Sequence, residues 1–272
     1  MSRRVEDMIW GDSLSYLPPL IMSKKEIQNI LQTMDDRIDF IVNPHSYVDK
    51  LTGKKLTGIT SIQGQIDKPF LAPWASKENY NYMMKNWDIS KKYSKEEKRD
   101  LLYKAKNAYR EKSSQAKELG TKIHSVIEKA IKGEKIDPNM DKNIKRALEL
   151  FMDWSKDIKW IASEAKVMSE KCGIAGTLDA LGVIDGKLTL VDFKTSKMIS
   201  RDYYIQTSGY HLCLEENGII PEQRMIVKIP KYENIDFEAK IVPTPLDFDI
   251  KVFKSLIHLK KWIGYCNNKE IK

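Results

Sequence analysis

The chain is poor in the features that would place it at once. Its 272 residues hold three cysteines, Cys172, Cys213 and Cys266. So few, odd in number and without motif spacing, they argue against a disulfide framework and fit a reducing compartment. They also fall short of the four thiolates that usually hold an iron–sulfur cluster. No apolar run approaches the ~18 residues of a membrane span. There is no GxxxxGK[ST], which excludes an ATP motor of the P-loop type. The opening MSRRVEDMIWGDS has no apolar signal core and carries acids early, so no export or transit signal is expected and a cytoplasmic setting, bacterial or phage-infected, fits best. Internal repeats and low-complexity linkers are absent too.

What is present is a 42% apolar composition, enough for a real core, and a net charge of +8 with a pI near 9.1. That charge points to an anionic partner such as nucleic acid, against the plainer reading of a basic cytosolic protein.

The most informative stretch is GTLDALGVIDGKLTLVDFKTSK, residues 176–197. Asp185-Gly186 is a two-residue hairpin signal between β-branched and apolar residues. A two-residue loop puts Asp179 directly opposite Asp192, and Lys194 on the same face two residues on. Facing carboxylates repel unless a cation lies between them, and a divalent metal is the obvious one. Two carboxylates and a backbone carbonyl are hard oxygen ligands suited to Mg²⁺ or Mn²⁺. The alternative is an ordinary ion pair between Lys194 and Asp192. The hairpin is apolar on both faces, which predicts burial on both sides.

Around it the periodicity predicts helices over 23–34, 117–132, 141–157, 202–217 and 246–265, with Gly133 and Gly218 as stops. Strands are expected at 40–42, 161–168, 224–229 and 237–242. Residues 1–56 otherwise read as an irregular lead. Thr60 with Gln63 forms a capping-box pattern, and 91–117 is a charged, solvated helix. The expected fold is α/β, a central mixed sheet flanked by helices, with an N-terminal helical arm. The division expected is 1–116, a mainly helical DNA-guiding arm, and 117–272, the core with its C-terminal helix.

Further polar groups attract attention. His124 borders the apolar stripe of Ile123 and Ile127, with Glu128 one turn later as an acceptor that could steady it. The plainer role is a satisfied helix histidine. Gln206 and Tyr210 share a helix face and could meet a phosphate or a base edge, or simply pack. Glu164 lies mid-strand and could neighbour the carboxylates. Phe70, Trp74, Tyr80, Tyr82 and Trp87, interleaved with Lys68, Lys77 and Lys85, could stack unpaired bases. Ser61 could bind a phosphate near a helix start, or merely cap it.

Taken in order, G-T-x-x-H (120–124), G-T-x-D (176–179), D-F-K (192–194) and Q-x-x-x-Y (206–210) resemble the PD-(D/E)XK nuclease superfamily, RecB-type branch, over nearly half the chain. TSIQGQIDKPFLAPWASK (60–77) is similar to the segment before the core in mitochondrial genome maintenance exonucleases and their phage relatives, departing at Gln63, where a threonine is common. The resemblance implies a restriction-endonuclease-like core. It implies a metal site of His124, Asp179 and Asp192 with the Phe193 carbonyl, and a catalytic Lys194. Gln206 and Tyr210, with Ser61 and Trp74, would touch the substrate, while Glu128, Glu164 and Thr195 would support the ligands. Members with an iron–sulfur cluster or a fused helicase are excluded. The expected activity is a stand-alone, metal-dependent DNA exonuclease, working on single strands or a free end in replication, recombination or repair. A structure-specific endonuclease, or a DNA-binding recombination accessory protein with a vestigial site, are the competing expectations. A monomer is favoured over a ring.

Overall fold

A computed structural model describes residues 22–42 and 46–268. The opening segment read above for a signal lies outside them. The elements, in order, are α1 (Lys24–Arg37), β1 (Ile38–Ile41), β2 (Ser46–Asp49), β3 (Lys55–Gly58), α2 (Ile59–Gln63), α3 (Leu71–Asn86), α4 (Lys95–Lys132), α5 (Lys142–Ser155), β4 (Lys159–Ser169), β5 (Ile174–Ile184), β6 (Lys187–Lys194), α6 (Asp202–Glu216), β7 (Gln223–Lys228), β8 (Glu238–Ile241) and α7 (Leu246–Asn268). The fold is α/β, with one mixed eight-stranded sheet flanked by helices.

The strand order is β1-β2-β3-β5-β6-β7-β8, with β4 on the other edge of β5. β3 runs parallel to β5, and β6 parallel to β7, the latter pair joined by the crossover helix α6. The remaining pairs are antiparallel. One face is covered by α1, α2, α6 and α7 through Leu31, Ile59, Leu214 and Phe253. The other is covered by α4 and α5 through Ile123, Ile127 and Phe151. Both faces of the β5–β6 hairpin are therefore buried, as its two-sided apolar pattern predicts.

Local signals explain most element ends. Asp185 and Gly186 have φ of 49° and 77°, the positive pair a type I′ turn requires. The register Ala180↔Val191 through Ile184↔Lys187 is that of a two-residue loop. Ser23 and Glu26 form a reciprocal capping box on α1, as do Ser94 and Glu97 on α4. Gly133 ends α4 in the left-handed region.

Three expectations are corrected. Residues 1–56 are not an irregular lead throughout, because β1, β2 and β3 join the sheet. These strands have only four residues each, too few to show a period. The division at 116/117 falls inside α4, whose 38 residues run unbroken from the charged half to the amphipathic half. The Thr60–Gln63 capping box does not form. Gly58 is the N-cap of α2 and makes no side-chain cap bond. Gln63 is instead buried, donating through Nε2 to Asp202 Oδ2 at 2.8 Å.

Candidate metal centre

The site is built where β4, β5, β6 and α4 meet. Register carries Glu164, Asp179 and Asp192 onto one level of three adjacent strands. The flanking pairs are Ser163↔Ala180 and Ala165↔Leu178 on one side of β5, and Ala180↔Val191 on the other. Regular pairing lapses at this level. Leu178 and Leu181, three apart, pack into one core while Ala180 packs into the other, so the alternation of β5 slips at Asp179. Glu164 has φ of 50°, a left-handed conformation that a non-glycine residue adopts at a cost of about 1–3 kcal/mol. In place of a ladder bond, the Phe193 N–H donates to Asp179 Oδ2 at 2.6 Å. Phe193 thus serves Asp179 through its amide, with its ring buried against Phe151 and Trp160.

His124, Glu164 and Asp179 each offer one ligand atom, all within 4.8 Å of one another. Nδ1 of His124 lies 3.9 Å from Asp179 Oδ1. Burial, and then the Lys194 ammonium, push the His124 pKa down to about 4, so the ring is neutral at pH 7 and free to donate a lone pair. Burial first, then the charges of Asp179 and Glu128, push Glu164 up to about 7. Burial likewise raises Asp179. A pair of half-buried carboxylates whose charge is poorly balanced, beside a neutral imidazole, could hold a divalent cation. Glu164, expected only to support the ligands, is one of the three groups that converge.

Asp192 stands outside this triad. Its Oδ2 lies 2.5 Å from Lys194 Nζ. Neither of its oxygens accepts a well-formed hydrogen bond, although the residue is 1% exposed. The structure therefore contains the Asp192–Lys194 ion pair that the hairpin offered as its plainer reading. Burial outweighs Lys194 and raises Asp192 to about 6. Burial opposes the Lys194 charge, but Asp192 and Asp179 outweigh it and hold the ammonium above its ordinary value. The Tyr203 ring lies 5.0 Å from Lys194 Nζ.

The other expected residues divide. Tyr210 is buried, accepts from Gln206 Nε2 at 3.0 Å, and lies over Gly176, where a Cβ would sit 2.8 Å from its ring. Burial, then Asp192 and Asp179, raise its hydroxyl well above the usual tyrosine value. Gln206 and Tyr210 therefore brace the hairpin from beneath. Glu128 does not serve His124. Its carboxylate takes Lys132 Nζ at 2.6 Å, the i,i+4 partner on its own helix face. Thr195 Oγ1 packs against Gly120. Ser61 is exposed on the five-residue α2, and among the described residues no hydrogen bond or ion pair ties it to the cluster. Trp74 is half-exposed on α3, edge-on to Tyr109 with ring centres 6.3 Å apart. α3 buries none of its residues, and Phe70, Tyr80 and Trp87 on or beside it are exposed.

One residue escaped the reading of the sequence. Lys231, beyond β7, donates through Nζ to the Ala116 carbonyl of α4 at 2.6 Å and depresses the His124 pKa. A lysine after a strand in a lysine-rich chain carries no signal of its own.

No family model matches this chain, and no curated protein matches it. Among solved structures that match is one described as the crystal structure of SSO0001, 18% identical, with a TM-score of 0.25. The match covers 41% of this chain and spans 55% of the length of that one. A likeness that slight says nothing about function. No helix of the described residues is long and apolar enough to cross a membrane.

Proposed function

We propose that this chain is a metal-dependent DNA exonuclease of the PD-(D/E)XK type, RecB-like branch, hydrolysing phosphodiester bonds from a DNA end. The observation that carries this reading is the convergence of His124, Glu164 and Asp179 within 4.8 Å, beside the buried Asp192–Lys194 pair. His124, Glu164 and Asp179 would hold Mg²⁺ or Mn²⁺, with Asp192 beside them paired to Lys194. Bound there, the ion would polarise a phosphoryl oxygen and lower the pKa of a water.

The protein's own groups account for the rest. Lys194, kept protonated by two carboxylates, presents N–H donors to the charge that builds on the phosphoryl oxygens in the transition state. Asp192 orients that ammonium. Neutral His124 keeps its lone pair at pH 7. The Phe193 N–H fixes Asp179, and the Tyr210–Gln206 pair prevents the hairpin from shifting beneath it. Exposed aromatics of α3 among lysines suit stacking of unpaired bases. That supports a preference for single-stranded DNA.

The test is cleavage of end-labelled linear and closed circular DNA with Mg²⁺ or Mn²⁺. Linear DNA is expected to shorten from an end while circles survive. Lys194→Ala should lower the rate on the order of 10²–10³-fold and leave the fold intact by circular dichroism. Absence of metal-dependent cleavage, or full activity in Lys194→Ala, refutes the enzyme. Cutting of circles moves the reading to an endonuclease.

A further inference from the structure

Glu164 belongs to two places. It is one of the three converging groups of the metal centre, and it also lines a cleft of about 610 Å³ between α1 and the outer edge of β4. Among the described residues β4 pairs with a strand only on its β5 side, so its other edge is open to the cleft. α1 stands across this edge. Gln28 Nε2 donates to the Ile161 carbonyl at 2.9 Å, and Asp35 meets Lys166 at 3.1 Å. The space between is walled rather than filled.

Two features of that wall are costly in the protein alone. Ser163 Oγ is buried with no hydrogen-bond partner, and a hydroxyl removed from water without one is destabilising. Its neighbour Glu164 holds the left-handed backbone described above. Adjacent unmet and strained groups on one wall mark a place where a ligand completes the structure. The wall is mixed: Trp160 and Ile161 are apolar, and Asp35 and Glu164 bring carboxylates. Gln28 and Gln32 bring amides whose Nε2 groups donate to Ile161 and Asp36 and whose oxygens remain to accept, Lys132 is paired with Glu128, and Lys24 brings a further positive charge. Pockets that enclose small ligands hold roughly 300–1,000 Å³, and this cleft lies within that range.

We propose that this cleft takes the nucleoside attached to the phosphate under attack. The proposal rests on the phosphodiesterase reading above. A phosphate seated at Glu164, Asp179 and His124 must send a nucleoside to either side of itself. The α1–β4 cleft is a walled space that begins at one of those three residues. Its apolar part suits the face of a base, its amides and the Ser163 hydroxyl suit base or sugar edges, and Lys24 suits a neighbouring phosphate.

The experiment compares the wild type with Gln32→Trp, which fills the cleft from an exposed position on α1, and with Lys24→Glu, also at an exposed position. Equilibrium dialysis with Mn²⁺ measures binding of dAMP and dTMP, each as the 5′- and the 3′-monophosphate. Mn²⁺ binding without nucleotide reports on the metal centre alone, and hydrolysis of bis(p-nitrophenyl) phosphate shows whether that centre cleaves a diester lacking base and sugar. Gln32→Trp is expected to weaken at least one nucleotide on the order of tenfold, about 1.4 kcal/mol, and to slow oligonucleotide cleavage likewise. Its Mn²⁺ affinity without nucleotide should stay at the wild-type value. Whichever phosphate position binds tells which side of the scissile bond the cleft serves. Unchanged nucleotide binding in both variants overturns the proposal. A wild type that hydrolyses neither substrate overturns the phosphodiesterase reading instead, and the dialysis still decides the cleft.

Discussion

Gly120→Ala is the sharpest test of how α4 delivers His124. In an exposed helix interior the change would stabilise by about 1 kcal/mol. Here Gly120 is buried, and a Cβ would lie 2.8 Å from Thr195 Oγ1 and 3.4 Å from Lys231 Nζ. The first distance is too short for carbon against oxygen, so α4 or Thr195 must move. Overpacking of this kind costs roughly 1–3 kcal/mol. Set against the propensity gain, the net expectation is a loss of about 0–2 kcal/mol. His124 lies one turn further along the same face, so displacing α4 widens its 3.9 Å approach to Asp179. Urea unfolding measures the stability, and Mn²⁺ titration measures the site, where affinity should fall on the order of tenfold, about 1.4 kcal/mol. Adding Thr195→Ala removes the atom in the way and should restore most of both losses, a favourable coupling of about 1 kcal/mol. Thr195→Ser keeps that oxygen and should restore little. If Gly120→Ala alone gains the full propensity increment with unaltered Mn²⁺ affinity, the close approach does not position His124.

Three other outcomes follow from the same contacts. Glu164→Gln should lower Mn²⁺ affinity at least on the order of tenfold, yet raise the urea midpoint of the metal-free protein, because it relieves repulsion with Asp179 and Glu128. His211 is buried, and burial, then Arg224, lower its pKa to about 4. Its folded value lies below the unfolded 6.5, so stability is full above pH 6.5 and declines towards pH 4 by about 3 kcal/mol, and His211→Leu should flatten that part of the pH–stability curve. Gly209→Ala would put a methyl 2.5–3.0 Å from the buried Phe253 ring, where α6 packs on α7. A loss of about 1–3 kcal/mol by urea denaturation is expected.

Much of the fold was legible because its signals are local. The Asp185-Gly186 turn, the Gly133 stop and the long apolar periods each need only neighbouring residues. β2 and β3 were not legible, because four-residue strands have no period and β3 finds β5 more than a hundred residues away. The facing of Asp179 and Asp192 followed from turn chemistry alone. The third carboxylate on that level did not, since nothing in the type of Glu164 announces a left-handed backbone or a register with Asp179. The membership of the triad also turned on a competition that spacing cannot weigh. Asp192 and Asp179 flank the same space, and Lys194 draws one of them away.

The two motif glycines carry a lesson about how such a site is specified. Gly120 belongs to the helix that bears His124, yet the atom it makes room for is Thr195 Oγ1, one residue past Lys194. Gly176 belongs to the strand that bears Asp179, yet it makes room for the ring of Tyr210 on α6. Each glycine is therefore a requirement imposed by a side chain from another motif, not by its own backbone, since neither has a positive φ. Short motifs spread over ninety residues act as one unit because the bulk missing from one is the space another fills. Substitution on either side of such a contact should be felt at the His124–Glu164–Asp179 cluster and compensated only from the other side.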